Sequence, residues 1–323
     1  MIMLIVAFLL GMILCLLFGV PYVDFLQKKM IGQYVKDCAP EAHLKKQGTP
    51  TTGGIFIVSA IVIASVTVLA LAQKFSSTSL IILLTLLFYT FAGFLDDYIK
   101  IKGKGNDGLT ARGKLMRQIA IAMLPTLFLM TSNPEFGLIT MFGHSYNLGF
   151  LYPIFAIFII TGASNAYNLT DGLDGLASFT GVFAFLACSI ISLLGNHIEA
   201  AIISAVVAGA LIGFLRYNKP KAQVFMGDTG SLALGGLLGT LAVMAKFEIL
   251  LIFVGGVFVM ETLSVILQVA SYKLTGKRIF KMSPIHHHFE LCDWSEKKIV
   301  LVFGFVSLFL GILAICLRLK GVL

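Results

Sequence analysis

Two adjacent carboxylates, Asp96 and Asp97, close an apolar run that begins at Leu80, and Lys100 follows one helical turn later on their face. Adjacent residues on a helix point about 100° apart, so a rigid helix is not expected to offer both carboxylates to one ion. The pair therefore predicts a division of labour, with one carboxylate near a metal or nucleophile and the other positioning a partner. Its bland reading is a solvated helix end. Asn168, Asp171 and Asp174 crowd a short connection between two apolar segments, and the two aspartates share a face if the turn is helical. A turn at a lipid boundary has no need of two uncompensated aspartates, whereas a site that coordinates a cation or accepts hydrogen bonds from a base or sugar does.

Three further stretches carry chemistry-bearing residues. Between Arg216 and Ser231, cations and Tyr217 precede Asp228, which stands between Gly227 and Thr229-Gly230 at the start of a helix. Thr229 or Ser231 suits the cap of that helix, its N-terminus favours anions, and the plain alternative makes Asp228 the cap. Lys45 to Gly54 combines Lys46, hydroxyls and glycines that allow a backbone to approach a phosphate. It lacks the Gly-Lys-Ser/Thr order of a P-loop, and read alone it is equally an interfacial turn with lysines. His286, His287 and His288 lack the spacing of zinc ligands and suit contacts to phosphate or sugar oxygens better, although a histidine tract by itself is only compositional.

The elements that must position these residues are membrane spans. With 58% hydrophobic and 12% charged residues and a mean hydropathy of +0.95, the chain cannot clothe a soluble globule, and one integral-membrane domain over residues 1–323 is the expectation. Apolar segments at about 2–22, 54–73, 79–95, 115–131, 151–168, 175–194, 198–215, 231–246, 249–272 and 298–318 predict an all-α bundle of ten spans. Met1 to Val20 lacks a basic n-region and a small-residue cleavage site, which predicts a retained first span.

Only Lys74, Lys246, Arg318 and Lys320, of the 24 lysines and arginines, fall outside 23–53, 96–117, 169–174, 216–230 and 273–298. Positive-inside bias makes those connections cytoplasmic and both termini external. The net charge of +8 is thereby explained by orientation, with no call for nucleic acid. Asp96, Asp97, Asp107, Asp171, Asp174 and Asp228 lie on the same side, which predicts an active site at the cytoplasmic face. Glu261 stands inside a span after Gly255-Gly256; a bent or inward-facing helix, with the acid paired to a neighbour, is expected. The five cysteines form no Cys-x-x-Cys, so neither a disulfide framework nor a zinc site is indicated.

Hard carboxylates without thiol or paired imidazole ligands point to Mg²⁺ or Mn²⁺, and Mg²⁺ typically combines one or two carboxylates with substrate phosphates. A water-soluble phosphorylated substrate, a lipid substrate and phosphoryl transfer between them follow as the leading expectation.

Lys-x-Gly-Thr-Pro-Thr-x-Gly-Gly at 46–54, Asp96-Asp97-Tyr98-Ile99-Lys100, Asn168-Leu-Thr-Asp-Gly-Leu-Asp-Gly175, Gly227-Asp228-Thr229-Gly230-Ser231 and Pro284-Ile285-His-His-His-Phe-Glu290 stand in that order along the chain. Together they resemble the MraY family, the phospho-N-acetylmuramoyl-pentapeptide-transferases, within the polyprenyl-phosphate N-acetylhexosamine-1-phosphate transferase superfamily. Thr52 takes the place of a methionine often found in the family, and Arg112 stands where a lysine may occur there.

The resemblance implies Mg²⁺-dependent transfer of phospho-MurNAc-pentapeptide from UDP-MurNAc-pentapeptide to undecaprenyl phosphate, giving lipid I and UMP, in a bacterial cell membrane and in a homodimer. It implies Asp228 as metal ligand, Asp96 as the group that orients or deprotonates the lipid phosphate, and Asp97 as its assistant. Lys46, His286, His287 and His288 would contact phosphate or sugar. Thr51, Lys100, Arg112, Asn168, Asp171, Asp174, Asn218, Phe225, Gly227 and Gln268 would shape the nucleotide and diphosphate pocket. A GlcNAc-1-phosphate transferase is the rival enzyme. A secondary transporter is the rival outside enzymes, but it predicts ionisable groups near mid-membrane and a repeat between halves, whereas the aspartates here sit at the boundary and the halves show no convincing repeat.

Overall fold

The computed structural model describes residues 1–28, 48–103 and 108–322. Lys46 and Asp107 lie outside them. The helices are α1 (Ile2–Lys28), α2 (Gly54–Leu71), α3 (Ser77–Lys102), α4 (Ala111–Ser132), α5 (Tyr152–Thr170), α6 (Leu176–Leu194) and α7 (Ile198–Asn218). They continue as α8 (Gly227–Met244), α9 (Leu251–Val254), α10 (Gly256–Thr275), α11 (Ile285–Glu290) and α12 (Glu296–Leu319). Side-chain caps start three of them: Ser76 and Ser79 form a capping box on α3, Thr110 accepts from Gly113 N–H on α4, and Ser295 accepts from Lys298 N–H on α12.

Among the described residues, nine helices are long and apolar enough to cross a membrane. The chain is a polytopic, all-α membrane protein. The segment expected at 231–246 is helical as α8 but is not among those nine, because glycines and hydroxyls dilute its apolarity. Every α8 residue from Thr229 to Met244 is buried, so this helix meets protein rather than lipid. The segment expected at 249–272 is interrupted at Gly255, between α9 and α10.

Small residues set the close crossings. Gly209 and Gly213 of α7 bring its backbone against Phe8 and Met12 of α1, the small-xxx-small solution to packing where lipid removes the hydrophobic drive. Gly93 does the same where α3 crosses α8: a Cβ there would meet the Asp228 carbonyl and lie 2.8 Å from Thr229 Cα. Gly93→Ala is expected to cost about 1–3 kcal/mol through overpacking, to lower the thermal midpoint of the purified protein, and to reduce turnover by displacing Asp228.

The segments at 74–78, 132–150, 195–197, 246–248 and the C-terminal tail meet one another. Leu138–Met141 (β1) and His144–Asn147 (β2) form an antiparallel hairpin with Met141 opposite His144. Phe142 and Gly143 have φ of 52° and 73°, as a two-residue turn of this hand requires. Gly143 N–H donates to Val322 O at 3.2 Å, and Ser76 Oγ donates to Glu199 Oε1 at 3.0 Å. Lys246 Nζ lies 3.1 Å from Glu248 and donates to Phe136 O at 3.0 Å, while Tyr152 O–H donates to Glu248. Burial raises the Glu248 carboxyl pKa and lowers that of the Lys246 ammonium, so desolvation outweighs their pairing. The segments that carry the aspartates meet in a second cluster.

Candidate active site

The last turns of α3 and the first turn of α8 form the centre. The two aspartates of α3 do not project into water as a solvated helix end. The helix continues past them to Lys102, and Asp96 and Asp97 are only 2% and 4% exposed.

Asp97 is consumed by α8. Its Oδ1 accepts from Asp228 N–H at 3.1 Å, and its Oδ2 accepts from Thr229 N–H at 2.9 Å and Thr229 O–H at 2.6 Å. The start of α8 is thus capped by a carboxylate from another helix, and Asp228, Thr229 and Ser231 do not serve as its side-chain cap. A carboxylate suits that place because first-turn N–H groups lack intrahelical partners and the helix dipole favours negative charge.

Held in this way, Asp228 faces three donors. Its Oδ2 accepts from Lys100 Nζ at 2.9 Å and Lys114 Nζ at 2.8 Å, and its Oδ1 accepts from Asn168 Nδ2 at 2.7 Å. Asn168 also donates to Ser231 Oγ at 2.8 Å. Asp96 Oδ1 accepts from Leu109 N–H at 2.8 Å, and its Oδ2 lies 2.5 Å from Lys100 Nζ.

One oxygen from each of Asp96, Asp97 and Asp228 falls within 4.8 Å of the others, so the adjacent pair does converge with a third carboxylate on one point. The 100° between neighbours on α3 is overcome because Asp228 lies between their two directions. These hard oxygen donors suit Mg²⁺. Asp97 is tied to the backbone and hydroxyl at the start of α8, whereas Asp96 and Asp228 share the side-chain ammonium of Lys100, which a cation can displace, and this makes those two the better ligands.

The loop 171–175 is not a helical turn that presents two aspartates together. Asp171 stays near the cluster, and burial first, then the charges of Asp228, Asp97 and Asp174, push its pKa well above the ordinary carboxylate range. Asp174 turns away. Its Oδ2 accepts from Lys221 and Ala222 N–H at 3.1 and 3.0 Å, and its own N–H donates to Glu296 Oε1 at 2.7 Å. Asn218 ties the same two loops: Oδ1 accepts from Gly175 N–H at 3.2 Å and Ser178 O–H at 2.9 Å, and Nδ2 donates to Val224 O at 3.1 Å.

Backbone bonds join two of the sequence motifs. Phe225 N–H donates to Pro50 O at 2.7 Å, Gly53 N–H to Phe225 O at 2.9 Å and Gly54 N–H to Met226 O at 2.9 Å. Thr51 is thereby set beneath Gly227, whose φ of 71° turns the chain into α8. The side chain of Phe225 is half-buried.

Gln268 acts on the histidine segment from α10. Its Oε1 accepts from Ile279 and Phe280 N–H, both at 2.9 Å, and its Nε2 donates to Phe280 O at 2.8 Å. One amide side chain thus takes the place of a neighbouring strand. His288 Nδ1 accepts from Lys281 N–H at 3.1 Å, and His287 Nδ1 lies 2.6 Å from Glu290 Oε2. His286 is fully buried beside Glu261, so the intramembrane acid is paired.

Arg112 is exposed at the start of α4, with no ion pair among the described residues. Lys114, two residues on, is the cation that reaches Asp228 and is the residue sequence reasoning missed. Its signal was helical spacing: Gln118, a buried polar residue in an apolar stretch, lies four residues further along the same face.

Residues 79–246 match glycosyl transferase family 4. The chain is 46% identical to the phospho-N-acetylmuramoyl-pentapeptide-transferase of Bacillus licheniformis, over 95% of each chain. It is 47% identical to that of Bacillus subtilis over 95% of each, and 46% identical to that of Shouchella clausii over 91% of each. The chain belongs to the phospho-N-acetylmuramoyl-pentapeptide-transferases. It is a glycosyl-1-phosphate transferase of bacterial peptidoglycan synthesis. In this transferase the buried aspartates are compatible with a divalent metal, and its spans make it a multi-pass membrane protein.

Proposed function

We propose that the cluster around Asp228 transfers phospho-MurNAc-pentapeptide from UDP-MurNAc-pentapeptide to undecaprenyl phosphate with Mg²⁺, forming lipid I and releasing UMP. The observation that carries this reading is the meeting of Lys100 and Lys114 on Asp228, 2.9 and 2.8 Å away, beside Asp96. Buried acids and mobile ammonium groups in one place match a reaction between two phosphorylated substrates and a metal ion. Asp228 and Asp96 would hold the ion, which when bound neutralises phosphate charge. Asp97 keeps α8, and with it Asp228, in place.

Lys100 and Lys114 exchange the Asp228 carboxylate for the donor's diphosphate oxygens as it arrives. Asp96 orients the lipid phosphate. A separate general base is dispensable, because a phosphate monoester with a second pKa near 6 is mostly dianionic at neutral pH. Positioning and charge neutralisation then carry the rate. Lys46, His287 and His288 contact phosphate or sugar, whereas His286 is fully buried and does not; Asn168, Asp171 and the loops held by Asp174, Asn218 and Gln268 border the nucleotide.

We place this site at the cytoplasmic face of ten spans in the bacterial cell membrane, with both termini external, in a homodimer. The grouping of the lysine-rich connections supports the sidedness. Purified protein given undecaprenyl phosphate with either UDP-MurNAc-pentapeptide or UDP-GlcNAc tests the activity. Turnover of the pentapeptide donor is expected, and turnover of UDP-GlcNAc alone would refute the reading.

The raised pKa of Asp171 gives a pH dependence with a definite sign. Its proton is bound more tightly in the fold than in the unfolded chain. Protonation therefore favours the fold at low pH, and that contribution is lost as pH rises through the folded-state pKa. A cation beside this carboxyl competes with the same proton, so the Mg²⁺ midpoint is expected to fall as pH rises. Asp171→Asn should flatten that slope in a metal titration followed by calorimetry.

A further inference from the structure

Glu261 lies within α10, about 20 Å along the axis from the helix end at Thr275 at 1.5 Å per residue. A fully buried ionisable group within a helix of spanning length is costly unless it is paired or functional. Its neighbour is His286 of α11, and both side chains are 0% exposed. The histidine segment therefore descends into the bundle, a course open to non-spanning backbone only where protein surrounds it.

The pair is incompletely satisfied. His286 Nδ1 lies 3.1 Å from Glu261 Oε1, and His286 N–H donates to Glu261 Oε2 at 3.4 Å. Yet Glu261 Oε1 and both ring nitrogens of His286 have no formed hydrogen bond among the described residues. On its far side the ring presses against the acidic loop: a Cβ on Gly172 would run into His286 Nε2 and stand 2.8 Å from Cε1. The neighbouring residue is Asp171, which feels the charges of Asp228 and Asp97. A pair whose only task was to hold helices together would close its hydrogen bonds, since an unpaired buried polar atom is a cost to the fold.

We propose that Glu261 is a positioning residue for the transfer, acting through His286 on the acidic loop at Gly172. The proposal rests on the transferase reading of the aspartate cluster. The carboxylate, 3.1 Å from Nδ1 without a formed hydrogen bond, favours the ring proton on that nitrogen through the negative charge on its oxygen, which leaves the lone pair on Nε2 and sets the face that the ring turns to Gly172. Ring orientation sets the height of loop 171–175, and with it the place of Asp171 beside Asp228. Gly172 is needed because any side chain there would occupy the space of the ring.

The test uses the full chain in lipid nanodiscs with ¹⁵N-histidine, six residues in all, and His286 assigned by H286Q. A protonated Nδ1 and an unprotonated Nε2 are expected in the wild type and in E261Q, whose amide oxygen keeps part of that negative charge. In E261L this signature is lost, and kcat falls about a hundredfold while the donor KM changes less than about threefold, the pattern of a misplaced reacting group.

H286Q is expected to lose as much kcat as E261L, and E261Q to stay within about tenfold of wild type. A wild-type ring protonated at Nε2 overturns the proposal, as does an E261L that loses thermal stability alone with kcat unchanged. Should E261L fail to fold, E261Q and H286Q decide by the same two readouts, and a wild-type rate in H286Q overturns it. Failure of the wild type to turn over the pentapeptide donor would refute the transferase reading, while the nitrogen spectrum would still report on the pair.

Discussion

Exchanging Asp228 for asparagine is expected to lower kcat about a thousandfold or more while donor affinity changes by less than about tenfold. The carboxylate does two things that an amide cannot. Its Oδ2 holds the ammonium groups of Lys100 and Lys114 at 2.9 and 2.8 Å, and as a neutral group it would leave those two cations facing each other. It is also the carboxylate best placed, with Asp96, to ligate Mg²⁺. Single-turnover kinetics with labelled donor, beside a Mg²⁺ titration of the same preparation, separates chemistry from binding. A rate within about tenfold of wild type would remove Asp228 from the centre of the reaction.

Asp97→Ala should be as damaging to turnover but for a different reason, and it should also destabilise the protein. Two first-turn N–H groups of α8 and the Thr229 hydroxyl all donate to Asp97. Removing their acceptor in a buried place costs about 1–3 kcal/mol per orphaned group, so a loss of about 3 kcal/mol or more is expected. Thermal unfolding in micelles then shows Asp97→Ala well below Asp228→Asn. Equal midpoints for the two variants would show that Asp97 is not a clamp. Thr229→Val, which removes only the hydroxyl, should fall between wild type and Asp97→Ala in both stability and rate.

The spans were legible because lipid leaves an unclosed chain no alternative to helices, and hydropathy reports them directly. The grouping of the connections was legible for a related reason: lysines and arginines concentrate in certain connections, and those around Lys100, Lys114 and Asp228 meet. That Asp96, Asn168, Asp171 and Asp228 gather in one place was an expectation the sequence supported, because polar groups beside apolar segments are costly without a partner.

What each side chain does once there was much less visible. Asp97 and Asp96 are identical in the sequence, yet Asp97 is the one that accepts from the backbone at the start of α8, a contact between residues more than a hundred positions apart. Lys114 was hidden among other basic residues of a positive-inside segment, where charge already had an explanation. Gln268, Asp174 and Asn218 bind backbone groups of distant loops, and no local pattern announces such partners. The short hairpin at 138–147 escaped because a run of polar residues between spans carries no strong period of two.

The cap that α3 lends to α8 has one more effect. Backbone amides at the start of a helix are a common cradle for phosphate, and here a resident carboxylate has claimed two of them. Under the proposed function, a phosphorylated substrate would meet the ammonium groups of Lys100 and Lys114 at this spot rather than those backbone amides. Discrimination among sugar nucleotides would then fall to the surrounding loops, whose residues can change without disturbing the carboxylate that anchors α8.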